Sequence, residues 1–210
     1  MVDDPSLGTR ERLLAAGRRA ALDSGLRKVT VRGVCKEAGV NLGSFVYHFG
    51  QRDAFIAELI EHTYAPLLER IRQEFSMAAP PVERLRRMVL ELCQFFSARG
   101  DVILRMWMDG YAGEAAAIDF MRKVGQRHPQ LLLRCIREAQ AQGELAPAPP
   151  RHVLMFLMTS VGLPVLLGRM RHDPRVRPNL LVRMVTRHGA NPRDIEQRLD
   201  WALKGLQAQG

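Results

Sequence analysis

The stretch TVRGVCKEAGVNLGSFVYHF, residues 30–49, decides the fold. Read at helical spacing it divides into two short helices about a glycine. Val31, Val34, Cys35 and Ala38 recur at the three-and-four spacing that packs one face of a first helix. Gly39 suits the left-handed backbone that ends such a helix. Asn41 can then cap a second helix by accepting from its first free N–H groups.

The second helix carries the information. At about 100° per residue, Leu42, Phe45, Val46 and Phe49 fall on one side, which makes an apolar inner face. Gly43, Ser44, Tyr47 and His48 fall on the other, with no acid, two small groups and two long donors. A helix seated in a DNA major groove wants that face: small residues near the floor and donors reaching phosphates at the rim. Helix, glycine-containing turn and helix of this polarity predict a helix-turn-helix.

The string AGVNLGSFVYHFGQRDAF resembles the DNA-binding signature of the TetR family, the tetracycline-repressor-like bacterial transcriptional regulators. The matching order is the apolar face of helix one, Thr30 before helix two, Ala38-Gly39-Val40 in the turn, Tyr47-His48-Phe49 closing helix three, then a basic residue opening helix four. It covers residues 10–59, roughly a quarter of the chain. The resemblance implies phosphate contact by Thr30 beside its cap role, and a basic residue at Arg52 where the family usually has Lys. A phosphate beside Arg52 would supply the anion that a helix N-terminus wants.

Bulk properties narrow the remaining classes. The 210 residues can bury a real core, and the net charge of +9 with pI near 10.3 favours polyanions. Charge alone does not find the DNA-binding segment: residues 1–53 hold nine Lys/Arg against six Asp/Glu, a net of only +3. Arg10, Arg32 and Lys36 read either as phosphate neutralisers or as solvated surface charges, and the expected DNA-contact set is Thr30, Arg32, Asn41, Leu42, Gly43, Ser44, Tyr47, His48 and Arg52. The N-terminus lacks the basic-then-apolar order of a signal peptide, and no uninterrupted apolar run approaches a bilayer span, so the expected location is cytoplasmic with no membrane partner.

The rest of the chain reads as helices separated by turn residues. A first helix spans residues 10–24, preceded by a mobile tail; a long one spans 51–75 and should bend at Pro66. Others follow at 82–98 ending at Gly100, at 102–109, at 113–142 with a kink at His128-Pro129, at 151–170 and at 192–207. Residues 171–191 form a basic loop with some helix at 180–187. The fold is therefore all-α: a helix-turn-helix domain (1–53) joined by the long helix to a helical effector-binding and dimerisation domain (54–210). The segment VLMFLMTSVGLPVLLG, residues 153–168, and the amphipathic terminal helix need apolar partners. Either they complete the monomer core, or two such helices from each of two chains form a four-helix homodimer interface.

Chemistry-bearing patterns are otherwise sparse. The chain shows no GxGxxG, Walker loop, GxSxG or HExxH, and its six histidines are scattered, so no catalytic residue, metal site or cofactor is expected. Cys35, Cys93 and Cys135 sit in apolar helical patterns as small hydrophobes, with redox sensing as the other reading. Gly43 costs about 1 kcal/mol in a helix relative to Ala, which points to close approach either to a base pair or to helix two. Phe95, Phe96, Met106, Trp107, Tyr111, Phe120, Met155 and Met158 could line an adaptable pocket for a small apolar or aromatic effector, or fill an ordinary core. The function read from the sequence is a regulator released from a palindromic duplex operator by that effector. The alternatives are a helical ligand-binding protein and an architectural DNA binder without sequence preference. Repression is the expected sense of that regulation, and activation stays open because the difference lies in operator position and not in this chain.

Overall fold

The computed structural model describes residues 8–168 and 179–208. The expected tail before residue 8 and the basic loop across residues 171–178 lie outside them. Among the described residues every regular element is a helix, save one isolated bridge between Leu145 and Gln207. It divides into two compact units, Met1–Ala65 with Leu104–Lys123, and Pro66–Ile103 with Val124–Gly210.

The first unit begins with α1 (Thr9–Ser24), a 3-10 turn (Leu26–Lys28), α2 (Val31–Ala38) and α3 (Leu42–Phe49). Leu13, Leu14, Ala16 and Ala21 of α1 meet Val34, Cys35 and Ala38 of α2 in a buried cluster that Phe45 and Phe49 complete. Gly17 is required by packing: a Cβ there would stand 2.7 Å from Cε1 of Phe55 and closer still to its Cζ. Arg52 opens α4 (Arg52–Ser76), whose Phe55, Ile56 and Leu59 close the same core. The helix continues through Pro66.

Two boundaries differ from expectation for physical reasons. Residues 82–98 and 102–109 form one helix, α5 (Pro81–Tyr111), because Gly100 and Asp101 are carried inside it by apolar neighbours on both sides. Its buried positions Leu92, Ile103 and Met106 keep one stripe across the glycine, and the apolar stripe outweighs the local stop signal. Conversely, the expected helix 113–142 is two, α6 (Ala115–Val124) and α7 (His128–Ala141), with Pro129 in the first turn of α7 where its missing N–H costs nothing.

In the second unit, α8 (Pro150–Leu157) passes through a π-helical turn (Met158–Gly162) into α9 (Leu163–Gly168). Pro164 supplies no N–H to the preceding turn, which favours such a local widening. By length and composition Pro150–Gly168 is apolar enough to cross a membrane, against the reading of this run as too interrupted. Val153, Leu157, Val161, Val165 and Leu166 are nevertheless packed against protein, while Met155, Phe156 and Leu163 are exposed. Then come α10 (Leu180–His188) and α11 (Pro192–Gly205). Arg198 of α11 donates to the carbonyls of His188 and Gly189 and so caps the end of α10.

Candidate nucleic-acid interface

Two side-chain caps set the reading element. Thr30 Oγ1 accepts from the N–H of Gly33 at 3.1 Å at the start of α2. Asn41 Oδ1 accepts from the N–H of Ser44 at 2.8 Å and from its hydroxyl at 3.1 Å. Gly39, at φ 63°, makes the left-handed turn between them. Each cap occupies helix-end donors that would otherwise need water, so the starts of α2 and α3 are fixed at Thr30 and Asn41.

The anchor of α3 is narrower than its sequence suggests. Phe45 is 1% exposed and Phe49 is buried, but Leu42 and Val46 are each 53% exposed. The four-residue apolar face is thus a two-residue seam, one helical turn long, locked by rings. Phe45 lies 5.4 Å from Phe49 and 5.1 Å from Phe55, and Phe49 lies 4.9 Å edge-on to Phe55. Among the described residues no helix covers positions 42 and 46, which join the outward face instead.

That face is open. Gly43 and Tyr47 are exposed, the latter at 85%, and Ser44 and His48 are half-buried. Tyr47 and His48 meet edge-on at 5.1 Å. A Cβ on Gly43 would meet only Asn41 Oδ1, at 3.3 Å, so tight packing against helix two does not explain the glycine. Thr30, Arg32 and Lys36 at the start of and along α2 are open to solvent, while Arg19 is paired with Glu37 and Arg10 with Glu58. Helical periodicity puts Val46 inside, and the structure puts it outside. Its exposure next to Gly43 and Tyr47 gives the face a second apolar group, with Leu42, of the kind that packs on a thymine methyl.

Arg52 corrects the expected contact set. Its Nε donates to the Val29 carbonyl at 2.9 Å, and Nη2 to the Leu26 carbonyl at 2.7 Å and Glu114 Oε2 at 3.0 Å. Nη1 donates to Glu114 Oε1 at 3.3 Å and Asp53 Oδ1 at 3.1 Å. All five guanidinium donors are occupied within the protein, and the hydrogen bond to Glu114 raises its pKa further. Nothing remains to offer a phosphate.

The expected effector-pocket residues divide between the two units. Phe95, Phe96 and Met158 belong to the second unit, and Met106 and Phe120 are buried in the first. Tyr111 is 90% exposed, and Trp107 and Met155 are also exposed, so these three line no enclosed space. On α5 the reason is rotation: Ile103 and Met106 take the inward stripe, which turns positions 107 and 111 outward. The thiols are buried, and burial pushes Cys93 up to about 12 and Cys135 to about 11, with Cys35 raised too. Thiolate chemistry is correspondingly suppressed, which favours the small-hydrophobe reading.

A capped helix pair presenting an acid-free outer face defines a helix-turn-helix DNA-binding transcriptional regulator. Residues 13–59 match the family described as "Bacterial regulatory proteins, tetR family". That segment is therefore a DNA-binding domain of the tetR family. It is 22% identical over 153 residues to the HTH-type transcriptional regulator UidR of Escherichia coli, covering 66% of this chain and 70% of that protein. Over 148 residues it is 23% identical to the HTH-type transcriptional repressor KstR2 of Mycolicibacterium smegmatis, covering 69% and 72%. The solved ketosteroid transcriptional regulator KstR2 of Mycobacterium tuberculosis shares the fold over 100% of both chains (TM-score 0.67, 18% identity). So does a SmeT–triclosan complex, over 96% of this chain and 93% of that one (TM-score 0.70, 18% identity).

Proposed function

We propose that the protein is a cytoplasmic, homodimeric repressor whose α3 reads a near-palindromic operator and whose release is triggered by a small apolar or aromatic effector. The observation that carries the DNA reading is the outward face of α3, anchored from behind by Phe45 and Phe49. Thr30, Arg32, Asn41, Leu42, Gly43, Ser44, Val46, Tyr47 and His48 are its contact set, and Arg52 is not. One short helix touches few bases, so two copies reading successive major grooves about 34 Å apart are the natural unit.

Exposed apolar side chains support the dimer. Met155, Phe156 and Leu163 on α8–α9 and Trp201 on α11 stand uncovered, on the two helices expected to pair between chains. The effector class rests on Phe95, Phe96 and Met158 in the second unit and on the neighbour solved with triclosan. Effector binding would favour a dimer whose α3 helices no longer match the groove spacing.

The test is capture of duplex fragments from the source genome by the purified protein, followed by sequencing. A recurrent inverted repeat retained above background supports operator reading. Equal retention of all fragments points to an architectural binder, and retention of none removes the DNA reading altogether.

A further inference from the structure

Behind the reading face, the turn between α1 and α2 is held by two acidic side chains, one in the last turn of α5 and one just past it. Asp109 Oδ2 accepts from the Leu26 N–H at 2.6 Å. Gly25, at φ 87°, lets that carboxylate come close: a Cβ there would be 3.0 Å from Oδ2. Glu114, 6% exposed, grips Arg52 through both oxygens, and Arg52 in turn holds the Leu26 and Val29 carbonyls. Val29 immediately precedes Thr30, the cap of α2. Asp109 and Glu114 are themselves tied, the Glu114 N–H donating to the Asp109 carbonyl at 2.9 Å. All of these residues lie in the first unit.

We infer that Arg52, Asp109 and Glu114 are positioning residues for DNA binding. They fix the 3-10 turn from both its N–H and its carbonyl side, and with it the height at which Thr30 and Arg32 meet a phosphate. Arg52 therefore acts through the turn and not on the duplex, although its place in the sequence suggests direct contact. A planar fork is needed to serve two carbonyls and a bidentate carboxylate at once, and an ammonium cannot do that. The inference rests on the DNA-binding reading, but its first readout is independent of DNA.

The experiment compares wild type with Arg52→Lys, Arg52→Gln, Glu114→Gln and the milder Asp109→Asn. Amide exchange is measured in the free protein across residues 25–31. Binding is measured against a 30-base-pair duplex of arbitrary sequence as a function of salt. In Arg52→Lys, Arg52→Gln and Glu114→Gln, exchange at Leu26 to Val29 should quicken by about tenfold or more and duplex binding should weaken by about tenfold, the worth of one charge-assisted hydrogen bond, with a smaller change in the same direction in Asp109→Asn. Lysine should not rescue. The slope of log affinity against log salt should stay unchanged in Arg52→Gln, because Arg52 neutralises no phosphate.

Unchanged exchange would overturn the inference, as would full rescue by Arg52→Lys. So would a slope shallower by about one per subunit in Arg52→Gln, the signature of a phosphate-contacting arginine. Tighter binding with a steeper slope in Glu114→Gln would mean that a freed Arg52 reaches the duplex, and would also overturn it. If the wild type binds no duplex, the DNA reading fails, while the exchange data still decide the positioning role of the clamp.

Discussion

The ring of Phe45 stands 5.1 Å from that of Phe55, and this contact between α3 and α4 anchors the surface proposed to meet DNA. Tyr47, two positions further along α3, is exposed. Stability and recognition are thereby assigned to opposite sides of one eight-residue helix. Phe45→Ala should remove about 3–5 kcal/mol from the first unit, the usual cost of deleting a fully buried aromatic. Urea unfolding followed by far-ultraviolet circular dichroism measures it. A loss under about 1 kcal/mol would show that the seam is not the anchor.

Tyr47→Phe and His48→Ala should do the reverse. Neither side chain is in the core, so stability should stay within about 0.5 kcal/mol. Duplex affinity should fall at every salt concentration, while in Tyr47→Phe the salt slope should stay unchanged, because a neutral hydroxyl releases no counterion. Fluorescence anisotropy at several salt concentrations tests this. Wild-type affinity in both variants would clear the two residues of any contact role.

How much of this is legible in the sequence depends on the distance over which each interaction acts. The caps at Thr30 and Asn41, the turn at Gly39 and the buried pair Phe45 and Phe49 are all set within four residues, and periodicity finds them. It misplaces Leu42 and Val46 because an eight-residue helix gives only two turns, and the angular pattern does not say how many neighbours surround it. Arg52 escapes a local reading for a different reason: its decisive partner, Glu114, is 62 residues away and belongs to no local pattern. The stop signals at Gly100-Asp101 are genuine but weak against a continuous apolar stripe. A pocket cannot be read at all, since Met and Phe fill cores and line cavities alike.

Thr30 offers a way to separate its two roles. Aspartate is as good an N-cap as threonine, so Thr30→Asp should keep the bond to the Gly33 N–H and change stability by less than about 0.5 kcal/mol. The added negative charge would face a phosphate if one is there, and duplex affinity should fall at low salt and recover partly as salt screens the repulsion. Thermal melting and a binding titration at two ionic strengths decide it. Unaltered affinity would leave Thr30 as a cap alone.

Gly43→Ala weighs propensity against approach. Alanine gains about 1 kcal/mol of helix preference, but its Cβ would press on Asn41 Oδ1 at 3.3 Å, and the cap must yield by a few tenths of an ångström. The two effects oppose each other, so stability should move by no more than about 0.5 kcal/mol. Specific duplex binding should nevertheless be abolished, because the helix backbone can no longer approach the base edges. Retained binding would show that the glycine serves neither packing nor recognition.

His128, at the start of α7, gives the second unit a pH dependence. Burial, and secondarily the charge of Arg127, lower its pKa from the usual 6.5 to about 4. The unfolded chain therefore binds a proton that the folded chain refuses between those two values. Stability from this group is complete above pH 6.5 and is lost as pH falls towards 4, at no more than about 1.4 kcal/mol per pH unit. His128→Gln cannot take up that proton, so its urea midpoint should fall less than that of the wild type between about pH 7 and about pH 4.5. Parallel midpoints across that range would mean that the imidazole titrates alike in both states, and the cause would have to be sought among the carboxylates.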